Sequence, residues 1–198
     1  MSGHNKWSQI KLRKGKTDAK KSQVFSKYAK LIANEARAAR STSSGRATAN
    51  RDAPALRAAI ERARKENMPS DNIERAIKKA IEGGDAALES ILYEGYGPGG
   101  VAMLIEALTD SRNRASSEIK HILAENGGTL ATPGAAVWAF EKRDPNPRIH
   151  PNAPTNEDRG WKATTTVPLE DVDLEKLEKL VEALEANEEV QEVVTNAE

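Results

Sequence analysis

The chain has 198 residues, room for one or two domains but not three; 38% are hydrophobic, 30% are charged and the mean hydropathy is −0.66. It contains no cysteine, which excludes disulfides, thiolate zinc sites and cysteine nucleophiles together. No run approaches the roughly 20 apolar residues of a membrane helix, and the basic N-terminus lacks the apolar core of a signal peptide. Thirty basic and thirty acidic residues cancel, but not locally: residues 1–82 hold 20 Lys and Arg against 8 Asp and Glu, a net of +12, and residues 83–198 hold 10 against 22, a net of −12. A cytoplasmic protein is expected, with a polyanion facing the basic half and a solvated acidic half. Packing of the two halves against each other is the alternative.

In chain order, residues 1–16 read as a basic arm without helical or strand period, carrying Lys6, Lys11, Arg13, Lys14 and Lys16 around Trp7, Ile10 and Leu12. From about Thr17, Val24, Tyr28, Leu31, Ile32 and Ala36 recur at helical steps, until Thr42–Gly45 starts a polar loop. A second helix is expected over Ala53–Asn67 with Leu56, Ile60 and Ala63 on one stripe, ended by Met68-Pro69. A third comes next, capped by Ser70 or by Asp71 with Glu74, buried through Ile73, Ile77 and Ile81 and stopped by Gly83-Gly84. Three helices with narrow apolar stripes imply a small bundle with basic exposed faces.

Strand grammar then begins. Ile91–Glu94 and Val101–Leu108 flank a glycine-rich turn, Gly95 to Gly100, as in a hairpin. A helix over about 111–126 is predicted with Ile119, Ile122 and Leu123 inward, closed by Gly127-Gly128, and after it a strand Ala136–Glu141. Residues 144–160, with four prolines, read as an exposed linker. A strand within Trp161–Leu169, a helix over Asp173–Asn187 and a strand Val190–Thr195 complete the chain. The expected fold is α+β: a three-helix bundle with its arm over 1–84, then over 85–198 a ferredoxin-like domain of two βαβ halves, preceded by the hairpin.

Few groups suggest chemistry. The glycine-rich run leads into a strand, and no Lys-Ser/Thr closes it, so turn geometry explains it better than a phosphate loop. Tyr93, Tyr96, Gly97 and Pro98 remain a possible contact loop, since the tyrosines could stack on a base or a proline ring. His4, His121 and His150 fall in different segments without metal-ligand spacing, and His121 is expected to be a partly buried structural histidine. No serine has a G-x-S-x-G context and the acidic pairs lie in a solvated tail, so no catalytic residue, metal, cofactor or small-molecule substrate is assigned. At Thr109–Arg114, Arg112 and Arg114 crowd a helix start whose free amides already favour anions, which makes a phosphate site as plausible as ordinary capping.

Five separated motifs resemble one family: Ser2-Gly3-His4-Asn5-Lys6-Trp7, the run Ile10 to Lys14, Asp18-Ala19-Lys20-Lys21, the run Asn67 to Ile77, and the run Tyr93 to Gly100. With Leu184-Glu185, Val190-Gln191 and Asn196, they are similar to the YebC/PmpR family, which includes the mitochondrial translational activator of cytochrome c oxidase subunit I. The resemblance covers about residues 1–143 and 163–198. It implies a non-enzymatic cytoplasmic protein, either a DNA-binding transcription regulator or a ribosome-associated factor. Members usually carry a further domain-sized stretch where this chain has only residues 144–160.

The combined expectation is a ribosome- and RNA-associated translation factor, with a DNA-binding transcription regulator as the alternative and a monomer favoured over an oligomer. Its nucleic-acid contacts would be Lys6, Trp7, Lys11, Arg13, Lys14, Lys16, Lys20, Lys21, Arg112 and Arg114.

Overall fold

A computed structural model describes residues 18–40, 49–82, 88–143 and 160–198. The expected arm, the Thr42–Gly45 loop and the Gly83-Gly84 stop fall outside these residues, as does nearly all of the 144–160 linker. The chain divides into two compact units, one running to Glu89 and including Leu108–Asp110, the other comprising Ser90–Ala107 and Ser111–Glu198.

In the first unit, α1 (Asp18–Arg40), α2 (Pro54–Lys65) and α3 (Ser70–Glu82) share one apolar cluster. Its members are mostly small: Ala36, Ala39, Ala59, Ala63, Ala76 and Ala80 surround Ile32, Leu56, Ile73 and Ile77. Alanine-lined stripes let helix axes approach closely, so a polar unit with few large side chains can still exclude water. Ile60 and Ile81 pack only at its margin.

Two helix ends differ from expectation. α2 stops at Lys65 because Asn67 adopts a left-handed conformation (φ 62°) and the Met68 amide returns to the Ala63 carbonyl at 3.0 Å. That doubled-back end satisfies two helix carbonyls and buries Met68. α3 already includes Ser70, and the Pro69 carbonyl accepts the Asn72 and Ile73 amides. Glu74 does not form the expected capping box: both of its carboxylate oxygens are taken by Arg51, at 2.9 and 2.5 Å.

The second unit is built on a four-stranded sheet. Its strands are β1 (Glu89–Tyr96), β2 (Ala102–Thr109), β3 (Thr129–Ala131) and β6 (Val190–Thr195), in the order β3-β1-β2-β6. β1 pairs antiparallel with β3, and β2 with β6. β2 leads through α4 (Arg112–Glu125) to β3, which lies beyond β1, so β2-α4-β3 is one split βαβ unit. α5 (Asp171–Ala186) precedes β6.

Seven of the eight residues of β2 are buried, because both faces of this strand are covered. On one face Met103, Ile105 and Ala107 meet Ile119 and Leu123 of α4 and Leu177, Leu180 and Leu184 of α5. On the other, Ala102 and Leu104 meet Ala136, Ala139, Phe140 and Trp161. Phe140 and Trp161 belong to a separate ribbon, β4 (Phe140–Arg143) paired antiparallel with β5 (Gly160–Ala163). A strand sealed on both sides reads as a continuous apolar run rather than an alternating one.

The ribbon overturns the ferredoxin-like layer. Residues 137–139 form a 3-10 turn instead of the middle of a strand, and the strand from Phe140 pairs with β5, not with the main sheet. The expected strand in 161–169 is likewise short, ending at Ala163, with only Val167 bridging to Ala197 beyond it. The cause is Glu94. Buried on β1, its carboxylate accepts the amides of Gly134 and Ala136 at 2.6 Å each and of Val137 at 2.8 Å. Amides aimed at a carboxylate cannot also donate to a strand ladder.

Burial alone would raise the Glu94 carboxyl, but the amides of Gly134, Ala136 and Val137 together outweigh it and hold the group below its ordinary value. A depressed folded value makes its contribution present above the unfolded pKa of about 4.3 and lost as the pH falls through the folded value. Glu94→Gln is expected to lower unfolding stability at pH 7 by about 1–3 kcal/mol, by leaving buried amides poorly paired. Denaturant melts should show the gap to wild type shrinking below about pH 4.3; a gap independent of pH refutes the ionised-carboxylate account. A second constraint sits at Gly95, where an added Cβ would lie 2.9 Å from the Thr129 carbonyl oxygen on β3. Gly95→Ala is expected to cost about 1–3 kcal/mol by forcing these strands apart, measured by thermal melting.

Candidate nucleic-acid interface

The sequence placed most of its contacts in the arm, and Lys6, Trp7, Lys11, Arg13, Lys14 and Lys16 lie outside the described residues. Lys20 belongs to the first turn of α1, and Lys21, next to it, is exposed.

The helical unit adds bases absent from the sequence-level contact set. Arg57, Arg64 and Lys65 are exposed on α2, away from the buried Leu56, Ala59 and Ala63. Arg57 and Arg64 are seven residues apart, two helical turns along one side. Arg75, Lys78 and Lys79 are exposed on α3, but so are Asp71, Glu74 and Glu82. The pattern was available in the sequence, since these positions alternate with the apolar stripes at helical steps.

Beside α3 lies an open hollow of about 700 Å³, lined by Arg51, Glu74, Arg75, Ile77, Lys78, Ile81 and Glu82. Arg51 is committed to Glu74, and the Lys78 ammonium is 3.8 Å from Glu82. Exposed pairs of this kind contribute roughly 0–1 kcal/mol, so an incoming phosphate could compete for either cation. On α1, Glu35 is pushed above its ordinary value by burial, partly offset by a hydrogen bond from Asn34. That weakens one of the few acids of this basic helix.

Arg112 and Arg114 separate into two roles. Arg114 is engaged by a C-terminal acid of its own unit: its Nε lies 3.1 Å from Glu189 Oε1, which also accepts from Nη2. Glu189 is 8% exposed, and its amide donates to Asn187 Oδ1, whose Nδ2 donates to Glu118 on α4. Arg114 therefore compensates a buried carboxylate and ties α4 to the start of β6. Arg112 is exposed and offers its backbone carbonyl to the Tyr93 hydroxyl at 3.1 Å. Ser111 occupies the N-cap position of α4 without a side-chain capping bond.

The possible contact loop is mostly built inward. Gly97 and Pro98 are buried, and a Cβ on Gly97 would sit 3.0 Å from Met103 Sδ. Tyr93 packs on the helix-side core, while Tyr96 packs on the ribbon-side core and donates its hydroxyl to the Ala135 carbonyl. Both rings are partly buried and brace the sheet through their hydroxyls. His121 is also corrected: it is exposed and lies 3.3 Å from Glu125, one turn along α4. The i,i+4 spacing of that pair is the signal in the sequence that marks a solvated helix face. Among the described residues no three His, Cys, Asp or Glu side chains group as a metal site, and no helix is long and apolar enough to cross a membrane.

A model of the TACO1/YebC protein N-terminal domain matches residues 5–83, and a model of the TACO1/YebC second and third domain matches residues 88–144. A protein of Syntrophobacter fumaroxidans named "probable transcriptional regulatory protein" is 51% identical over 146 residues, 72% of this chain but 55% of that relative. The chain thus matches about half the length of such relatives. A namesake from Desulforamulus reducens is 36% identical over an alignment of 248 positions, covering 100% of this chain and 99% of that protein. An alignment of 248 positions against 198 residues leaves 50 without a counterpart here. The crystal structure of a conserved hypothetical protein from Aquifex aeolicus is similar with a TM-score of 0.76 at 31% identity, over 97% of this chain and 96% of that one.

Arg114→Ala is expected to lower unfolding stability by roughly 1–3 kcal/mol, because the Glu189 charge loses its partner. Glu189→Gln in the Arg114→Ala background should recover part of it, as read by denaturant titration. Full stability in the single variant would contradict that role.

Proposed function

The chain belongs to the TACO1/YebC family, and on that premise we propose that it is a non-enzymatic, nucleic-acid-binding regulator of gene expression that acts on DNA. One observation carries this reading: residues 1–82 concentrate a net +12, with Lys21, Arg57, Arg64 and Arg75 presented to solvent where they are described. Clustered cations release condensed counterions from a phosphate backbone, which supplies binding without a sequence code. The naming of relatives as transcriptional regulators favours DNA as the polyanion.

A ribosomal RNA partner is the second reading, and α3 favours it. Asp71, Glu74 and Glu82 share its exposed side with the bases. A helix seated in a major groove would have to hold those acids against phosphate. A surface that meets folded RNA at scattered points has no such demand.

Replacing Lys11, Arg13, Lys14 and Lys16 together by glutamine is expected to weaken binding to duplex DNA sharply at moderate salt. The slope of log affinity against log salt should flatten by about 3–4, near 0.9 for each phosphate no longer neutralised. Fluorescence anisotropy across a salt series measures it, and an unchanged slope removes the arm from the interface. A specific-to-nonspecific ratio of about 10³ or more on duplex DNA supports the transcriptional reading. A ratio near one, with salt-sensitive co-sedimentation on ribosomes, supports the other.

A further inference from the structure

Trp138 is 62% exposed, in a unit whose other large aromatic rings are at least partly buried. We propose that it is a base-stacking platform for single-stranded nucleic acid. The inference rests on the nucleic-acid reading and adds to it a second contact, in the acidic half, that recognises unpaired bases instead of phosphates.

Three observations carry it. The ring is held in place before any partner arrives: its Nε1–H donates to the Ala135 carbonyl at 2.8 Å, and the same carbonyl accepts the Tyr96 hydroxyl. The segment beneath it is pinned to β1 through the Glu94 carboxylate. An immobilised indole loses little conformational freedom on binding, so more of the stacking energy appears as affinity.

The second observation is charge. The half of the chain beyond residue 82 carries 22 acids against 10 bases, yet Asn126 through Phe140 contains no charged residue. The ribbon that continues from Trp138 pairs Glu141 with Lys162 and Lys142 with Trp161. Both lysines are exposed, and the Lys142 ammonium lies 5.6 Å from the Trp161 ring centroid. The register puts one lysine on each side of the ribbon, and the uncharged run Asn126–Phe140 leaves Trp138 without an acid next to it in sequence, in an otherwise anionic unit.

The third is the size of the exposed apolar surface. Ala136, Ala139 and Phe140 are buried and Ala135 and Val137 partly so, which leaves the Trp138 ring, with the small Pro133 five residues before it, as the large apolar group in solvent there. A protein partner needs a contiguous patch of hundreds of square ångströms. A single planar ring matches a single planar base, and stacking tolerates any base identity.

The test uses anisotropy with a labelled 12-nucleotide single strand, as RNA and as DNA, against the full chain, Trp138→Ala and Trp138→Phe, with melting curves to verify folding. Trp138→Ala should weaken single-strand binding about five- to hundredfold, the range of about 1–3 kcal/mol for one stacked base, and Trp138→Phe should recover most of it. The salt slope should not change, because no charge is removed. On a strand carrying abasic positions, and on a duplex, wild type and Trp138→Ala should bind alike. Equal affinity of the two for the intact single strand overturns the proposal, as does an equal loss on the abasic strand. If wild type still binds duplex with a steep salt slope, that failure removes only the stacking site. If wild type binds neither form, the nucleic-acid reading falls with it.

Discussion

A carboxylate taken out of water has to be met by donors, and in this chain the donors are backbone. Glu94 is buried on β1 and collects the amides of Gly134, Ala136 and Val137. Leaving such a group half-satisfied costs more than any single apolar contact nearby returns. The segment 134–137 is therefore held to the sheet at one place, and the residues after it take their positions from that anchor. The 3-10 turn lifts Trp138 outward while Ala139 and Phe140 turn in against Ala102 and Leu104. The ribbon of β4 and β5 then seals the face of β2 that the helices leave open.

That dependence marks where the sequence could be read and where it could not. The five helices among the described residues were legible because their burial repeats locally, every three or four residues, in stretches long enough to average out exceptions. β6 and the glycine-rich hairpin were legible for a similar reason, with short-range turn chemistry setting the connection. Ala136–Glu141 has the composition of a strand, but its hydrogen bonding is decided by Glu94, more than 40 residues earlier. No local pattern reports a contact of that range. β3 escaped for the opposite reason: three residues, Thr129–Ala131, owe their pairing to β1 and to Gly95, whose missing side chain admits the Thr129 carbonyl.

The candidate interface obeys the same rule. Net charge and its uneven distribution are properties of composition, so the cationic half is evident from the amino acids alone, and the exposed arginines of α2 are implied by helical spacing. Individual roles are not. Arg114 resembles a phosphate ligand in one dimension, two residues from Arg112 at a helix start, and only the fold shows that Glu189 lies beside it. Tyr93 and Tyr96 look like stacking rings in the sequence, which does not report that their hydroxyls donate to the carbonyls of Arg112 and Ala135. In each case a residue type suited to binding has a partner far along the chain.

The two halves would then meet a nucleic acid with different forces. Electrostatic attraction by the first 82 residues acts over about a Debye length, near 8 Å at physiological salt, and weakens as salt rises. Stacking on Trp138 needs contact, depends little on ionic strength and requires a base freed from its partner. The uncharged run Asn126–Phe140 lies in a half that carries 22 acids against 10 bases, so what remains favourable at that place is the ring face itself. On the proposed reading, duplex and unpaired strands would become distinguishable to a chain with no base-reading helix assigned, through a charge gradient that gathers the polymer and one indole that takes only its exposed bases.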